Sequence, residues 1–207
     1  MPPSVGEERH LHDCHLGSKA AGSRSRKDEF RGESMYSLSP FAGDTVVGLG
    51  DVPQPSVESP CPLALADDDH LFVLYLLQSK PEGWYDSWVK MISSDSEGEP
   101  FAIIVFHHPL AYYHGIPDDE ALHGHPLYRR GLRPHGAFEI ENSSWQEALL
   151  KMRRMQAAHR IENYHRYRHF VLAFRDTTFE CLAESYSIRI GNGSLRAAAE
   201  KVLSEMQ

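Results

Sequence analysis

His169-Phe-Val-Leu-Ala-Phe174, Arg175-Asp-Thr-Thr178 and Phe179-Glu-Cys-Leu-Ala183 form two short apolar segments around a four-residue polar break. Their spacing and composition predict a β-hairpin. A strand turns successive side chains to opposite faces, so Phe179 and Cys181 share one face and Thr178, Glu180 and Leu182 the other. Asp176 falls at the tip, where a carboxylate commonly accepts from turn amides. Glu180 is left facing either a groove or water. Asp176 and Glu180 are therefore the candidate acid–base groups, whereas Cys181 reads as a small buried apolar residue because no neighbour in sequence is arranged to lower its pKa.

Upstream of the hairpin, Ser144-Trp-Gln-Glu147 has the form of a capping box. Trp145, Ala148, Leu149, Met152 and Met155 then recur at three- and four-residue steps, an apolar stripe that predicts a helix laid on a sheet. Before it, Ala137-Phe-Glu-Ile-Glu141 alternates as a strand, with Phe138 and Ile140 on one side and Glu139 and Glu141 on the other. Downstream, Asn192-Gly193 marks a turn, and Ser194 caps a closing helix that runs to about Met206.

Further upstream, His70-Leu-Phe-Val-Leu-Tyr-Leu-Leu77 suits a buried strand. Gly83–Ile92 and Phe101–Phe106 read as two strands of one hairpin around the acidic turn at 94–99. Residues 107–135 carry Pro, Gly and His without a period and read as a long irregular connection, the kind of segment that often binds ligands. The expectation is an α+β fold: a mainly antiparallel sheet backed by a central capped helix and a C-terminal helix, as a single domain over residues 67–207. Residues 1–66 lack a sustained apolar period and read as a disordered or loosely docked segment, in which Thr45-Val-Val-Gly-Leu49 alone suggests a docking strand.

Histidine placement is the most informative chemical feature, since nine of thirteen lie between residues 107 and 169. Imidazole and carboxylate are usual ligands for zinc, iron or manganese, so His107, His123, His125 and Glu139 are the candidate holders of a divalent metal. No H-E-x-x-H accompanies them. Arg129, Arg130 and Arg133, followed by His135, place three guanidinium groups within five residues, a pattern suited to a carboxylate or phosphate. His159–His169 interleaves basic residues with Tyr164 and Tyr167, a composition used to stack on bases.

Composition restricts the remaining classes. Twenty-one Lys and Arg against 29 Asp and Glu give a net charge of −8, which disfavours a broad grip on nucleic acid. No apolar run is long enough to span a membrane as a helix. The start has no basic-then-apolar layout of a signal peptide. Cys14, Cys61 and Cys181 leave one thiol unpaired under any disulfide scheme, which favours a reducing, cytoplasmic setting. P-loop, dinucleotide and G-x-S-x-G motifs are absent from the sequence.

Gly124-His-Pro-Leu127, Gly131-Leu132, Gly136–Ile140, Asn142-Ser-Ser-Trp145 and Arg168–Cys181, with its Thr178-Phe-Glu-Cys181 element, together resemble a family of small uncharacterised bacterial proteins. The likeness covers roughly residues 67–185. It departs from the family pattern at Arg175, where the pattern has His. The resemblance implies a bacterial, cytosolic setting and carries no activity. The function expected from the residues is a small soluble binding or accessory module that holds a partner or small anionic ligand on a surface of His, Arg and carboxylate between residues 107 and 142. The alternative is a metal-assisted hydrolase or oxygenase that uses the His-rich segment 107–139, with Glu180 or Asp176 as base.

Overall fold

The computed structural model describes residues 43–59, 61–78, 92–153 and 166–206. Among the described residues, nine strands arrange into two antiparallel sheets. The first has the order β1-β6-β7-β8-β5, built from Thr45–Gly48 (β1), Gly136–Glu141 (β6), Arg168–Ala173 (β7), Thr178–Ala183 (β8) and Ala111–Gly115 (β5). The second has the order β2-β3-β4-β9, from Leu63–Ala66 (β2), His70–Leu76 (β3), Glu99–His107 (β4) and Ser185–Gly193 (β9). Two helices, Ser144–Arg153 (α1) and Leu195–Glu205 (α2), are also present among the described residues, with short 3-10 turns at Leu122–Gly124 and Tyr128–Arg130.

Mainly antiparallel α+β architecture is thus present, with one correction: there are two sheets, not one. Inner faces meet through Leu71, Val73 and Tyr75 of β3 and Ala102, Ile104 and Phe106 of β4, packed against Phe170, Leu172, Phe179, Cys181 and Ala183 of β7 and β8. The outer face of the first sheet is covered by Trp145 and Leu149 of α1 and by Leu122, Leu127 and Leu132 around the 3-10 turns, which pack on Ile140, Val171 and Leu182. The outer face of the second sheet is covered by Leu195, Ala199 and Val202 of α2, against Phe72, Leu74, Leu76, Ile103 and Val105. Strands β3, β4, β7 and β8 are therefore buried on both faces. That is why their sequences are nearly continuous apolar runs instead of alternating ones; each fully buried aliphatic or aromatic side chain contributes about 1.5–3 kcal/mol of transfer free energy.

The β7–β8 hairpin forms with Phe174 N–H donating to Thr177 O, and its faces divide as the alternation requires. The domain boundary at Asp67 does not hold: β1 pairs with β6, β2 pairs with β3, and Val52 is buried in the inter-sheet core. β1 is the docking strand suggested at 45–49, while β2 is only four residues long and is completed by its pairing with β3. Residues 107–135 are likewise not one irregular connection, since β5 pairs along β8 within them. Nearly all of the strand expected over 83–92 lies outside the described residues; among them, β4 pairs with β3 and β9.

The capping box also shifts by one residue. Ser143 Oγ accepts from Gln146 N–H at 3.1 Å, while Ser144 N–H donates to Asp44 Oδ1 and Ser144 Oγ is buried without a hydrogen-bond partner. Of the stripe, Trp145 is buried but Met152 is exposed, and Met155 lies outside the described residues. Ser194 caps α2 as expected, accepting from Ala197 N–H at 3.3 Å.

Candidate functional site

Glu180 is the anomaly of the first sheet. It lies on the outer face of β8 with Leu182, in the layer that α1 and the 3-10 turns cover, and it is only 2% exposed. A carboxyl group placed there has lost its hydration and must be compensated by hydrogen bonds. Two imidazoles supply them. His125, just after the first 3-10 turn, places Nε2 3.3 Å from Glu180 Oε1. His169, at the start of β7, places Nε2 3.1 Å from Oε2.

The chain of contacts continues past both rings. Leu127 N–H donates to His125 Nδ1 at 3.2 Å. An Nδ1 that accepts carries no proton, so neutral His125 is protonated at Nε2 and donates to Glu180. On the other side His169 Nδ1 lies 2.8 Å from Ser143 Oγ, the same oxygen that caps α1. Trp145 closes over His169 edge-on, with ring centroids 5.0 Å apart. Ser143, His169, Glu180 and His125 are all buried, so the network is sealed.

Burial sets its electrostatics. Desolvation pushes the Glu180 carboxyl up to about 8. The same loss of water pulls His125 down to about 4, and burial, with His125 adding to it, pulls His169 down to about 3. Around neutral pH the site therefore favours uncharged groups that exchange hydrogen bonds, the arrangement expected of ionisable residues in a low-dielectric layer. A serine, histidine and glutamate in hydrogen-bonded series have the composition of a nucleophile, base and orienting acid. Here the serine oxygen is committed to a helix cap and a buried ring.

The remaining candidates are engaged elsewhere. His107 Nε2 is 3.0 Å from Ser187 Oγ at the end of β4, and His123 Nδ1 is 2.8 Å from Glu120 O. Glu139 takes both forks of Arg168, at 2.7 and 2.5 Å. Both ring nitrogens of His125 are used inside the protein. The four expected metal ligands are thus not brought together, and among the described residues no group of three His, Cys, Asp or Glu is placed to hold a metal ion.

The arginine cluster divides similarly. Arg130 Nη1 donates to Asp44 O at 3.0 Å, and Arg133 Nη1 donates to Tyr128 O at 2.9 Å and Leu132 O at 2.7 Å, while Arg129 is exposed. His135 adopts a left-handed backbone, φ 56°, and sets Nε2 3.2 Å from Asp119 Oδ2. Asp176 sits exposed beside Arg175, at 3.8 Å. Of the expected site residues, only His125 and Glu180 meet. His169 and Ser143 complete their network and were not anticipated. His169 precedes an apolar run and is read as part of it, and Ser143 sits beside a serine that fits the capping pattern better; their contact spans 26 residues of sequence.

A second polar feature is open to solvent. Asp68, His108, Pro109, Arg166, Tyr167 and Glu184 line a cleft of about 330 Å³, where the chain enters β7 and where it crosses between the sheets at Pro109 and at Glu184. His108 is held in the left-handed region at φ 50°, an uncommon conformation for a residue with a side chain, and its Nδ1 is 3.6 Å from Asp69 Oδ1. Arg166 Nε is 3.0 Å from Glu184 Oε1, and its guanidinium lies 5.3 Å from the Tyr167 ring centroid. Gln146 ties this cleft to the buried network: its N–H caps onto Ser143 Oγ, and its Nε2 donates to Tyr167 O at 3.0 Å.

No family model matches the chain, and neither a curated protein nor a solved structure is found to be similar to it. No residue role is thereby transferred, and the resemblance noted above rests on its own residues.

Proposed function

We propose that the protein is a small binding module whose ligand site is the cleft at Asp68, His108, Arg166, Tyr167 and Glu184, and whose ligand is a small carboxylate that also carries a hydrogen-bond donor. The cleft carries this reading. Its volume lies at the low end of ligand sites. Arg166 offers a planar fork suited to a carboxylate, and Asp68 and Glu184 accept from an ammonium or hydroxyl group. Tyr167 and Pro109 provide apolar wall. Relative to the surface expected over residues 107–142, the proposed site keeps the same His, Arg and carboxylate chemistry and moves it to the sheet crossings.

The metal-assisted hydrolase or oxygenase has less support, because its four ligands are tied to four separate sets of protein partners and Glu180 is sealed from any substrate. A reducing, cytoplasmic setting belongs to the same reading, in keeping with the two cysteines among the described residues, Cys61 exposed and Cys181 buried, both being free thiols. The test is a ¹H–¹⁵N titration of the full chain with glycylglycine, and with acetate as the carboxylate alone. Saturable shifts concentrated on residues 108, 166, 167 and 184, larger for glycylglycine and lost in Arg166→Gln, are the expected result. Shifts that scatter over the surface, or that survive Arg166→Gln, would overturn it.

A further inference from the structure

The hydrogen-bonded series from Glu180 through His169 and Ser143 has two arrangements that differ by one proton. With Glu180 ionised, both carboxylate oxygens accept: from His125 Nε2–H at 3.3 Å and from His169 Nε2–H at 3.1 Å. His169 Nδ1 is then bare and accepts the Ser143 hydroxyl proton at 2.8 Å. With Glu180 protonated, His125 still donates to Oε1, because Leu127 N–H occupies its Nδ1. The new proton on Oε2 donates to His169 Nε2, His169 carries its proton on Nδ1, and Ser143 Oγ becomes an acceptor from that ring and from Gln146 N–H together. Both states keep His169 neutral. The proton added at Glu180 is answered by a tautomer change in the ring and a reversal of the serine hydroxyl.

Ser143 Oγ is joined to the surface through one residue. Gln146 donates its backbone N–H to Ser143 Oγ and its side-chain Nε2–H to Tyr167 O, and Tyr167 lies under the Arg166 guanidinium in the cleft. We propose that Glu180, His169, Ser143 and Gln146 form a proton-operated switch that regulates the cleft by setting the position of Tyr167 and Arg166. The role at the cleft rests on the binding reading above; the switch itself is tested without ligand, so the two fail separately.

The groups around Glu180 define what else titrates beside it. His125 and His169 flank it, and Tyr113 is its cross-strand neighbour on β5. Cys181 follows on the opposite face of β8, with its thiol raised far above its ordinary value by burial and by Glu180. Asp44 sits buried at the start of α1, and Glu147 and Lys151 pair on that helix at 3.2 Å. With the imidazoles held neutral by burial, Glu180 is the group whose proton uptake falls in the range of ordinary buffers.

The experiment follows the His169 ring nitrogens by ¹⁵N NMR between pH 6 and 10, with the Gln146 side-chain amide and the Tyr167 and Arg166 amides followed in the same samples. The expected result is a change of His169 tautomer from Nδ1–H to Nε2–H as pH rises, with the Gln146, Tyr167 and Arg166 signals moving on the same midpoint. Glu180→Gln cannot ionise and presents an amide donor toward His169 Nε2, so it should hold the Nδ1–H form throughout and flatten every curve. Ser143→Ala serves as a second variant, in which His169 still titrates while Gln146 and Tyr167 no longer follow. A His169 tautomer that stays fixed across the range would overturn the proposal. So would a His169 transition that leaves Tyr167 unmoved, or Tyr167 still following in Ser143→Ala.

Discussion

Glu180 gives the protein's stability an alkaline limb, and the two imidazoles that hold it give an acid one. A carboxyl raised from 4.5 to about 8 binds its proton more tightly in the folded state. Its contribution is therefore fully present below the unfolded value and lost as pH rises through about 8. His125 and His169 are lowered from 6.5 to about 4 and about 3. Their contribution is present above 6.5 and lost as pH falls toward those values. Thermal melts from pH 4 to 10 should accordingly show a maximum between the two limbs. In Glu180→Gln the alkaline fall attributable to this site should disappear while the acid fall remains; an unchanged alkaline limb would mean that Glu180 is already solvated. The facing of Glu180 was legible, because period-two alternation fixes it once β8 is recognised. Its partners were not: His125 is brought in from a turn 55 positions away, and His169 looks in sequence like the first residue of an apolar run.

Among the elements, those buried on both faces were the legible ones. The runs at 70–77, 101–106 and 170–183 are apolar because two layers cover them. Strands β5 and β9 escaped because they are sheet edges with half of each strand in water, and Tyr112 and Ile190 are exposed. Periodicity also over-read α1, whose stripe predicts burial for Met152 although that side chain is 61% exposed. The helices yield a paired test. Leu195, which is 1% exposed and packs between α2 and the second sheet, should cost about 2–5 kcal/mol as Leu195→Ala. Met152→Ala should stay within about 0.5 kcal/mol of the parent. Urea unfolding of the two variants measures both; equal losses would place α1 deeper than its exposure indicates.

At the scale of the whole molecule, two sheets lie back to back, each with a helical layer outside, and each sheet includes a strand from before Asp67. A chain beginning at Asp67 lacks β1 and β2, uncovers the outer edges of β6 and β3, and removes Val52 from the core. Such a chain should lose its cooperative melt, whereas restoring residues 43–66 should recover it; a cooperative Asp67 chain with the parent melting temperature would mean that those strands add nothing. Composition alone could not divide one sheet from two, because strand pairing is a long-range property and every inner and outer face draws on the same apolar residues. The sealed network depends on that layering, since it is the covering of the first sheet by α1 and the 3-10 turns that excludes water from Glu180. The most direct measurement is therefore the ¹³C chemical shift of the Glu180 side-chain carboxyl, followed against pH in glutamate-labelled protein and assigned with Glu180→Gln. Titration near pH 8 is expected of a carboxyl buried between His125 and His169. Titration in the ordinary range near 4.5 would contradict it and return Glu180 to the solvent.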